Sequence, residues 1–359
     1  MKIAQVAPLY ESVPPKFYGG TERVVSHLTE ELVRQGHDVT LFASGDSITA
    51  ANLRPMCPRA LRLEGANIID PIAHHIRMIE AVAREARNFD VVHFHIDYLH
   101  FPVSRRQRIA TLTTLHGRLD IPELHAIYRE FADMKLVSIS NSQRAPMPWG
   151  NWLGTVHHGL PERLYKPHER PGKYLAFLGR ISPEKRVDRA IEIAKRVGMP
   201  IRIAAKIDAV DREYFHSKIE RLFDDPLVEY IGEIGEREKS EFLGNAYALL
   251  FPIDWSEPFG LVMIEAMACG TPTIAYRRGS VPEVLDEGIT GYIVDDLDGA
   301  VAAVQQVASL DRRICRLVFE ERFSSRRMCL DYLALYKALS DWTPGRDVAS
   351  AGEGVPLVA

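Results

Sequence analysis

Two glutamates belong to a short apolar stretch that has clear helix start and stop signals. Glu257 comes just before the stretch, and Glu265 lies within it. Pro258 disfavours helical backbone at the residue before it, so the Glu257 carboxylate belongs to the loop that enters the helix. Gly270 and Pro272 mark the other end of the helix. The first amides of such a helix have no intrahelical partner and lie at the positive end of its dipole, so they favour an anion.

The spacing of these groups indicates a nucleotide. Glu265 lies four residues after Leu261, which is about one helical turn further along the same face. Phosphate bound by the first amides and a ribose diol bound by Glu265 would satisfy both features. The pair alone is weak support, because an exposed glutamate on a short helix is usually only solvated.

Length and composition indicate a globular protein of two domains. The 359 residues exceed what one compact core normally holds, and 46% hydrophobic with 26% charged residues is an ordinary globular composition. A formal charge of −4 gives no support to nucleic-acid binding. The four cysteines show no metal-binding spacing, so we expect reduced thiols and no metal site. We recognise no signal sequence and no apolar stretch of membrane-spanning length, and expect a cytoplasmic protein for which peripheral contact with the inner membrane face stays open.

Short apolar strands alternate with amphipathic helices through both halves of the chain. The predicted strands cover 2–7, 38–43, 90–95, 109–115, 135–140, 154–157, 173–178, 201–205, 227–231, 247–251, 273–276 and 291–294. The predicted helices cover 21–36, 71–88, 121–132, 187–197, 211–223, 236–244, 260–268, 299–308 and 325–339. This alternation predicts an α/β fold of two Rossmann-like domains, each a doubly wound parallel sheet, which face each other across a cleft.

The expected domains are residues 1–160 and residues 173–322, joined by a proline-rich linker at 161–172. A helix at 323–340 carries more apolar side chains than a solvated terminus needs, so we expect it to pack back, with the N-terminal domain as one candidate. Residues 341–359 are predicted to be a flexible tail.

Basic residues follow the first strand of the second domain, at the sheet edge where such folds bind ligands. Arg180 offers a planar fork and Lys185 a point charge, and both suit a diphosphate that becomes more negative as a bond to it breaks. A solvated basic turn is the alternative. Lys206, at the end of the next strand, is a weaker candidate.

In the first domain, Gly19 and Gly20 precede a helix and permit close approach of the backbone to an anion or a sugar. An ordinary turn explains them equally well. Further candidates that would face the cleft are Glu22, His27, His93, His95, Asp97 and His116. A lone histidine is more often a structural residue, so the functional case rests chiefly on His116, at a second strand end.

Taken together, these motifs resemble those of the retaining family-four glycosyltransferases, which have the GT-B architecture. They are Tyr18-Gly19-Gly20-Thr21-Glu22, Thr114-Leu115-His116-Gly117, His158-Gly159, Gly179-Arg180 with Lys185, and Glu257-Pro258-Phe259-Gly260 with Glu265. The opening Pro-Pro-x-x-Tyr-Gly-Gly is similar to that of a bacterial branch of antibiotic, pterin and saccharide glucosyltransferases. Arg186 departs from the family, which usually has glycine there, so the path of that turn is left open.

The resemblance implies transfer of a hexose from a nucleotide-diphosphate sugar with retention of configuration; UDP-glucose is the first donor expected and GDP-mannose the second. It implies that Arg180 and Lys185 hold the diphosphate and that Glu265 binds the ribose. His116 would contact the donor sugar, and Glu257 would bind its hydroxyls. The remaining donor contacts implied are Gly20, Ile231, Gly232, Ile234, Phe259, Gly260 and Leu261. The acceptor-side candidates are Gly19, Glu22, His93, His95 and Asp97.

No cofactor and no metal are expected, because basic side chains and helix N-termini would neutralise the diphosphate. No pair of carboxylates has an assignable nucleophile role, so we expect attack on the face of the leaving group through an oxocarbenium-like transition state. The acceptor is expected to be a small molecule, a saccharide or a lipid-linked molecule, and the oligomeric state stays open. Two alternatives remain, namely a sugar-nucleotide epimerase of the same architecture and a non-catalytic nucleotide-sugar sensor.

Overall fold

The computed structural model describes residues 1–16, 19–65, 68–107 and 109–341. Tyr18 of the N-terminal motif and residues 342–359 of the expected tail lie outside these ranges. The strands of the first sheet are β1 (Lys2–Val6), β2 (Asp38–Ser44), β3 (Asn52–Cys57), β4 (Val91–Phe94), β5 (Thr111–Thr114), β6 (Leu136–Ser138) and β7 (Trp152–Thr155). All pair in parallel, in the order β3-β2-β1-β4-β5-β6-β7.

A second parallel sheet follows. Its strands are β8 (Leu175–Arg180), β9 (Ile201–Lys206), β10 (Val228–Gly232), β11 (Ala248–Phe251), β12 (Thr273–Tyr276) and β13 (Gly291–Val294), in the order β10-β9-β8-β11-β12-β13. In each sheet the strand order reverses beside the first strand, between β1 and β4 and between β8 and β11, which opens a crevice at the carboxyl ends. The predicted fold class, two Rossmann-like doubly wound domains, is confirmed.

Helices cover both sheets. In chain order they are α1 (Gly20–Arg34), α2 (Leu61–Glu64), α3 (Pro71–Glu85), α4 (Phe101–Ser104), α5 (Pro122–Glu130), α6 (Asn141–Arg144), α7 (Val187–Val197), α8 (Arg212–Tyr214), α9 (Glu236–Gly244), α10 (Leu261–Ala268), α11 (Val281–Val284), α12 (Leu297–Gln306), α13 (Arg312–Arg322) and α14 (Ser325–Asp341). Short 3-10 segments occur at Ala86–Asn88, Asp97–His100, Ala209–Asp211, Glu220–Asp224 and Val307–Ser309, and Phe215–Ile219 is π-helical.

Three longer segments of the chain differ from the sequence expectation, and the short helices α2, α4, α6 and α11 were not predicted either. Strand β3 was not predicted, because it is an edge strand that contains Pro55 and is largely exposed, so it lacks an apolar period. Helix α13 was missed because most of its residues are charged. The single helix expected over 211–223 is a series of α, π and 3-10 turns. Its aromatic and aliphatic side chains still pack against the second sheet. The apolar periodicity of this segment therefore predicted which side chains are packed, but not that the backbone departs from one regular helix.

The chain passes twice between the two domains at one place. The amide of Leu160 donates to the carbonyl of Phe323 at 2.9 Å, and the amide of Ser325 donates to the carbonyl of Leu160 at 2.8 Å. Beyond this crossing, α14 packs its buried residues against the first domain's core. A Cβ on Gly159 would lie 2.3 Å from the carbonyl oxygen of Ser324, so the close crossing requires glycine there.

The turn that the sequence left open is resolved at Arg186. Its φ of 55° is left-handed, the conformation that glycine adopts without strain and that costs other residues about 1 to 2 kcal/mol. The guanidinium contacts Asp188 at 2.7 Å and Asp254 at 3.0 Å. These ion pairs offset part of the strain. The backbone of the turn thus has the conformation expected for glycine, although residue 186 is arginine.

We predict that Arg186→Gly is more stable than Arg186→Ala by about 1 kcal/mol in free energy of unfolding. Both variants lose the same ion pairs, so the comparison isolates the left-handed backbone. Urea denaturation of the two variants measures the difference. Equal stability of the two, or a more stable alanine variant, would show that the backbone at residue 186 is not strained.

Candidate functional site

A cleft of about 750 Å³ lies where the carboxyl ends of the two sheets face each other. Residues that follow β1, β4 and β5 line its first-domain wall, and residues at the ends of β8, β9, β10 and β11 line the other wall. This volume is within the range of small-molecule sites.

Helix α10 begins in the second-domain wall, and Phe259, Gly260, Leu261 and Val262 line the cleft there. Gly260 precedes the helix with a φ of 80°, and a Cβ on it would lie 2.7 Å from the methyl carbon of Met263. Glycine is therefore required at this helix start. The first N–H groups of α10, which helix geometry leaves without intrahelical partners, lie at the cleft wall, where the sequence predicts that an anion binds.

The first domain approaches this helix closely. A Cβ built on Gly20 would lie 3.7 Å from the side chain of Leu261, across the cleft. Gly19 is tightly enclosed, since a Cβ on it would lie 2.8 Å from the side chain of Pro15. Both glycines line the cleft, so the backbone at the start of α1 is accessible to a ligand.

Glu257 is held by three neighbours. Its Oε2 accepts a hydrogen bond from Trp255 Nε1 at 3.1 Å and forms a short ion pair with Lys185 Nζ. The Lys185 ammonium also lies 5.0 Å from the centre of the Trp255 ring. Gly279 packs against the backbone, and a Cβ there would lie 2.3 Å from the nitrogen of Glu257. The acid and the lysine that sequence analysis assigned to the sugar and the diphosphate are thus direct neighbours.

Arg180 ends strand β8 beside a group of carboxylates. Its guanidinium contacts Glu184 at 2.5 Å and lies 3.6 Å from both Asp208 and Asp211. Lys206 pairs with the same Asp208 at 2.8 Å. The Arg180 side chain keeps 31% of its surface exposed, so the guanidinium is positioned by protein carboxylates and remains accessible from the cleft.

Glu265 lies in a buried ionic cluster that spans the two domains. Its Oε1 accepts from Lys239 Nζ at 2.7 Å, and Arg23 from helix α1 lies 4.0 Å away. Arg23 also forms a short ion pair with Glu236 of α9. Burial opposes ionisation of Glu265, but Lys239 and Arg23 outweigh it and hold its pKa below the usual value, so it is a carboxylate. One carboxylate can accept about four hydrogen bonds, which leaves capacity for a diol.

A chain of hydrogen bonds fixes the ring of His116. Gln5 donates from Nε2 to the Tyr336 hydroxyl at 3.0 Å, which directs its Oε1 towards His95 Nε2 at 2.8 Å. An amide oxygen only accepts, so His95 carries its hydrogen on Nε2 and accepts with Nδ1 from His116 Nε2 at 2.9 Å. Burial lowers the pKa of His116 to about 3, so the ring is neutral. His116 Nδ1 is therefore an unprotonated acceptor, and it has no partner within the described part of the chain.

The expectation that His93 faces the cleft is wrong. Its side chain is fully enclosed; Nδ1 bonds to the Tyr336 hydroxyl at 2.7 Å and Nε2 to Thr114 Oγ1 at 2.7 Å. His93 and His95 point to the same side of the sheet, but His93 lies further from the carboxyl end of β4. Tyr332 and Tyr336 of α14 cover the ring of His93. It supports the polar network behind His116 and does not contact the cleft.

The structure places the other candidates as follows. The cleft walls include Glu22, His95, Asp97, Lys206 and Ile234. Ile231 and Gly232, at the end of edge strand β10, do not line the cleft, and Glu233 lines it beside Ile234. His27 is also absent from the walls.

Several cleft residues had no recognisable signal in the sequence. His158, known only as part of a motif, stacks on His116 with ring centres 5.3 Å apart and meets Phe259 edge-on at 4.8 Å. Lys239 and Arg23 reach Glu265 from separate helices, and no local pattern links those positions. Only the packing of α1 and α9 brings these cations to the acid.

All four cysteines are free and buried. In the described ranges, no group of three or more His, Cys, Asp or Glu side chains is arranged to hold a metal ion. None of the helices in those ranges has the length and apolar character needed to cross a membrane.

Comparisons with known proteins agree with this geometry. The model of glycosyltransferase family 4 matches residues 18–191, and the model of glycosyl transferases group 1 matches residues 164–314. N-acetyl-alpha-D-glucosaminyl L-malate synthase from Bacillus anthracis is 24% identical over 89% of this chain and 93% of its own length.

Two solved structures share the fold over nearly the whole chain. AviGT4, a glycosyltransferase involved in avilamycin A biosynthesis, has a TM-score of 0.73 and 23% identity, over 95% of this chain and 98% of its own. Anabaena HepE, solved in complex with UDP and glucose, has a TM-score of 0.72 and 17% identity, over 94% of this chain and 100% of its own. With two family models spanning residues 18–314 and a fold of two facing parallel sheets, the chain belongs to the GT-B glycosyltransferases of the group 1 and family 4 type.

Proposed function

We propose that this protein is a retaining glycosyltransferase that transfers a hexose from a nucleotide-diphosphate sugar to an acceptor held by the first domain. UDP-glucose is the first donor we propose and GDP-mannose the second. The observation that carries the proposal is the order of groups along one cleft wall: basic side chains, the start of α10, and a buried carboxylate one turn below it.

The donor would lie along the second-domain wall. Glu265 would accept hydrogen bonds from the ribose diol, and the base would lie beside Ile234 after β10. The diphosphate would meet the first amides of α10 together with Arg180 and Lys185. The UDP in the HepE complex, a protein of the same fold, supports a uridine nucleotide in such a cleft.

The sugar would extend towards the first domain. Glu257 would accept from its hydroxyls, and the unprotonated Nδ1 of His116 supplies a second acceptor on the facing wall. A hexose presents hydroxyl donors in several directions, so acceptors on both walls orient it.

The chemical step that this arrangement favours is attack from the face that the leaving group occupies. The bond from the anomeric carbon to the diphosphate breaks, the acceptor oxygen bonds to that carbon, and the acceptor proton passes to the departing phosphate oxygen. Arg180 and Lys185 stabilise the charge that develops on the diphosphate. Glu257 and Glu265 are each engaged by a lysine, which suits hydrogen bonding to the donor better than nucleophilic attack.

A thermal-shift panel of UDP-, GDP- and ADP-sugars tests the donor, because a ligand that binds the folded protein stabilises it. An NMR time course with donor alone separates transfer from the alternatives. An epimerase would convert UDP-N-acetylglucosamine without an acceptor. A sensor would bind a donor but would not transfer its sugar to any acceptor tested.

We predict that Glu265→Gln weakens UDP binding by roughly 10- to 150-fold, because hydrogen bonds to a charged group contribute about 1.5 to 3 kcal/mol. Glutamine keeps the size of the side chain next to Lys239. Isothermal titration calorimetry measures the change. Glu241→Gln, an exposed change on α9, serves as the control and should bind UDP normally. Unchanged affinity in Glu265→Gln would refute the ribose assignment.

We predict that Arg180→Ala lowers turnover by roughly 100-fold at saturating donor, with a smaller change in donor affinity, because its charge matters most as the diphosphate departs. Release of the nucleoside diphosphate from the donor that the panel identifies measures turnover. Arg196→Ala, which removes a surface arginine paired with Glu192, is the control. Turnover at the wild-type rate in Arg180→Ala would exclude the leaving-group role.

We predict that nitrogen-15 NMR of the wild-type protein shows His116 protonated at Nε2 and unprotonated at Nδ1. Gln5→Met removes the acceptor that orients His95, so His95 and His116 should then populate mixed tautomers. Binding of the UDP-sugar should weaken in this variant while binding of UDP does not. A wild-type His116 with its proton on Nδ1 would contradict the derived tautomer, whatever the stability of the variant.

A further inference from the structure

Each arginine on the first-domain wall has a carboxylate partner within the protein. Within the described residues, three arginines of this domain line the cleft: Arg23, Arg62 and Arg118. Arg62 pairs with Glu11 at 3.2 Å and Arg118 with Asp120 at 2.9 Å, while Arg23 is paired with Glu236. Each guanidinium thus has a carboxylate beside it before any acceptor arrives.

The histidines of this wall are neutral. His75 Nε2 accepts from the amide of Leu9 at 3.1 Å, so its hydrogen lies on Nδ1, which bonds to the Pro71 carbonyl at 2.8 Å. Burial lowers the pKa of His75 and, much further, that of His158. His95 and His116 are neutral by the hydrogen-bond chain described above. No histidine here supplies a positive charge to a ligand at neutral pH.

Asp97 is the unpaired charge on this wall. Its carboxyl has no hydrogen bond and no ion pair with any residue that the structure describes, and its backbone φ of 51° is left-handed. Asp97 is exposed to solvent in the cleft, and the mass of protein around that part of the cleft raises the pKa of its carboxyl to about 6. Asp97 is therefore mostly ionised at neutral pH and is a strong hydrogen-bond acceptor without a donor.

The surroundings of Asp97 add a second carboxyl group and apolar surface. Glu22, 6% exposed, lines the same wall, and burial raises its pKa as well. Tyr10, Ile72 and Tyr98 supply ring and aliphatic surface. The wall therefore offers carboxyl groups and apolar faces, and each of its arginines already has a carboxylate partner.

We infer that the acceptor carries no negative charge in this part of the cleft and presents hydroxyl or ammonium hydrogens to Asp97, as a neutral sugar or an amino sugar would. The inference rests on the proposed function, since it concerns the acceptor of that reaction. An anionic acceptor would be repelled here, because like charges placed opposite each other across a binding surface oppose binding. The wall therefore disfavours a dicarboxylate such as L-malate, the compound after which the Bacillus anthracis relative is named.

Matched probes test the charge preference. Saturation-transfer NMR titrations, with and without UDP, compare myo-inositol with inositol 3-phosphate, glucose with glucose 6-phosphate, and glucosamine with L-malate. We expect each uncharged or ammonium probe to bind roughly tenfold or more tightly than its anionic counterpart. In Asp97→Asn this ratio should fall by roughly tenfold. Asp133→Asn, on an exposed aspartate that pairs with Arg105 and does not line the cleft, should keep the wild-type ratio.

The outcomes are distinct. Anionic probes that bind as tightly as their counterparts, neutral and amino probes that do not bind, or an unchanged ratio in Asp97→Asn would each overturn the inference. If the wild-type protein does not bind UDP, the result counts against the proposed function instead. The titrations without UDP would still measure the charge preference.

Discussion

Burial of the Glu265 carboxylate is the constraint on which the cleft depends. A carboxylate with 3% of its surface exposed is costly unless cations are held beside it. Lys239 comes from α9, but Arg23 comes from α1 in the other domain. The electrostatic requirement of one acid in the nucleotide half of the cleft therefore helps to hold the two sheets face to face, and the crossing of the chain beside Gly159 allows that approach.

The two acids of the α10 segment have the same kind of partner and different surroundings. Lys185 and Trp255 hold Glu257 at the loop, towards the first domain, whereas Lys239 holds Glu265 one turn into the helix. Each lysine neutralises its acid without using all the hydrogen-bonding capacity of the carboxylate. In the proposed function, Glu257 would therefore present an acceptor to the sugar and Glu265 one to the ribose, on either side of the first amides of α10.

The first-domain wall is electrostatically different. Its histidines are neutral and ordered by a network that reaches from Gln5 to Tyr336 on α14, so their ring nitrogens act as directed donors and acceptors rather than as charges. Each of its arginines has a carboxylate partner, whereas Asp97 has none among the residues that the structure describes. In the proposed function, the second-domain wall would offer its basic side chains and the first amides of α10 to an anionic donor, and the first-domain wall would offer acceptor groups to a partner with hydroxyl or ammonium hydrogens.

The sequence by itself determined the features that depend on local sterics and periodicity. These are the two parallel sheets, the limits of α10 between Gly260 and Gly270, the positions of Arg180, Lys185 and Glu257 at or after strand ends, and that of Glu265 one turn into α10. It also placed His95, Asp97 and His116 at the carboxyl ends of β4 and β5. Such features follow from the reach of a few neighbouring residues, which a linear pattern records.

Tertiary structure alone decided which side chains meet. Helix α14 covers His93 and leaves His95 in the cleft wall, and α1 delivers Arg23 to Glu265 from a distant part of the chain. Strand β3 lacks an apolar period because it is an exposed edge, so packing rather than pattern reveals it. The left-handed turn at Arg186 and the unpaired carboxyl of Asp97 likewise depend on neighbours that are remote in sequence, and no local pattern records those contacts.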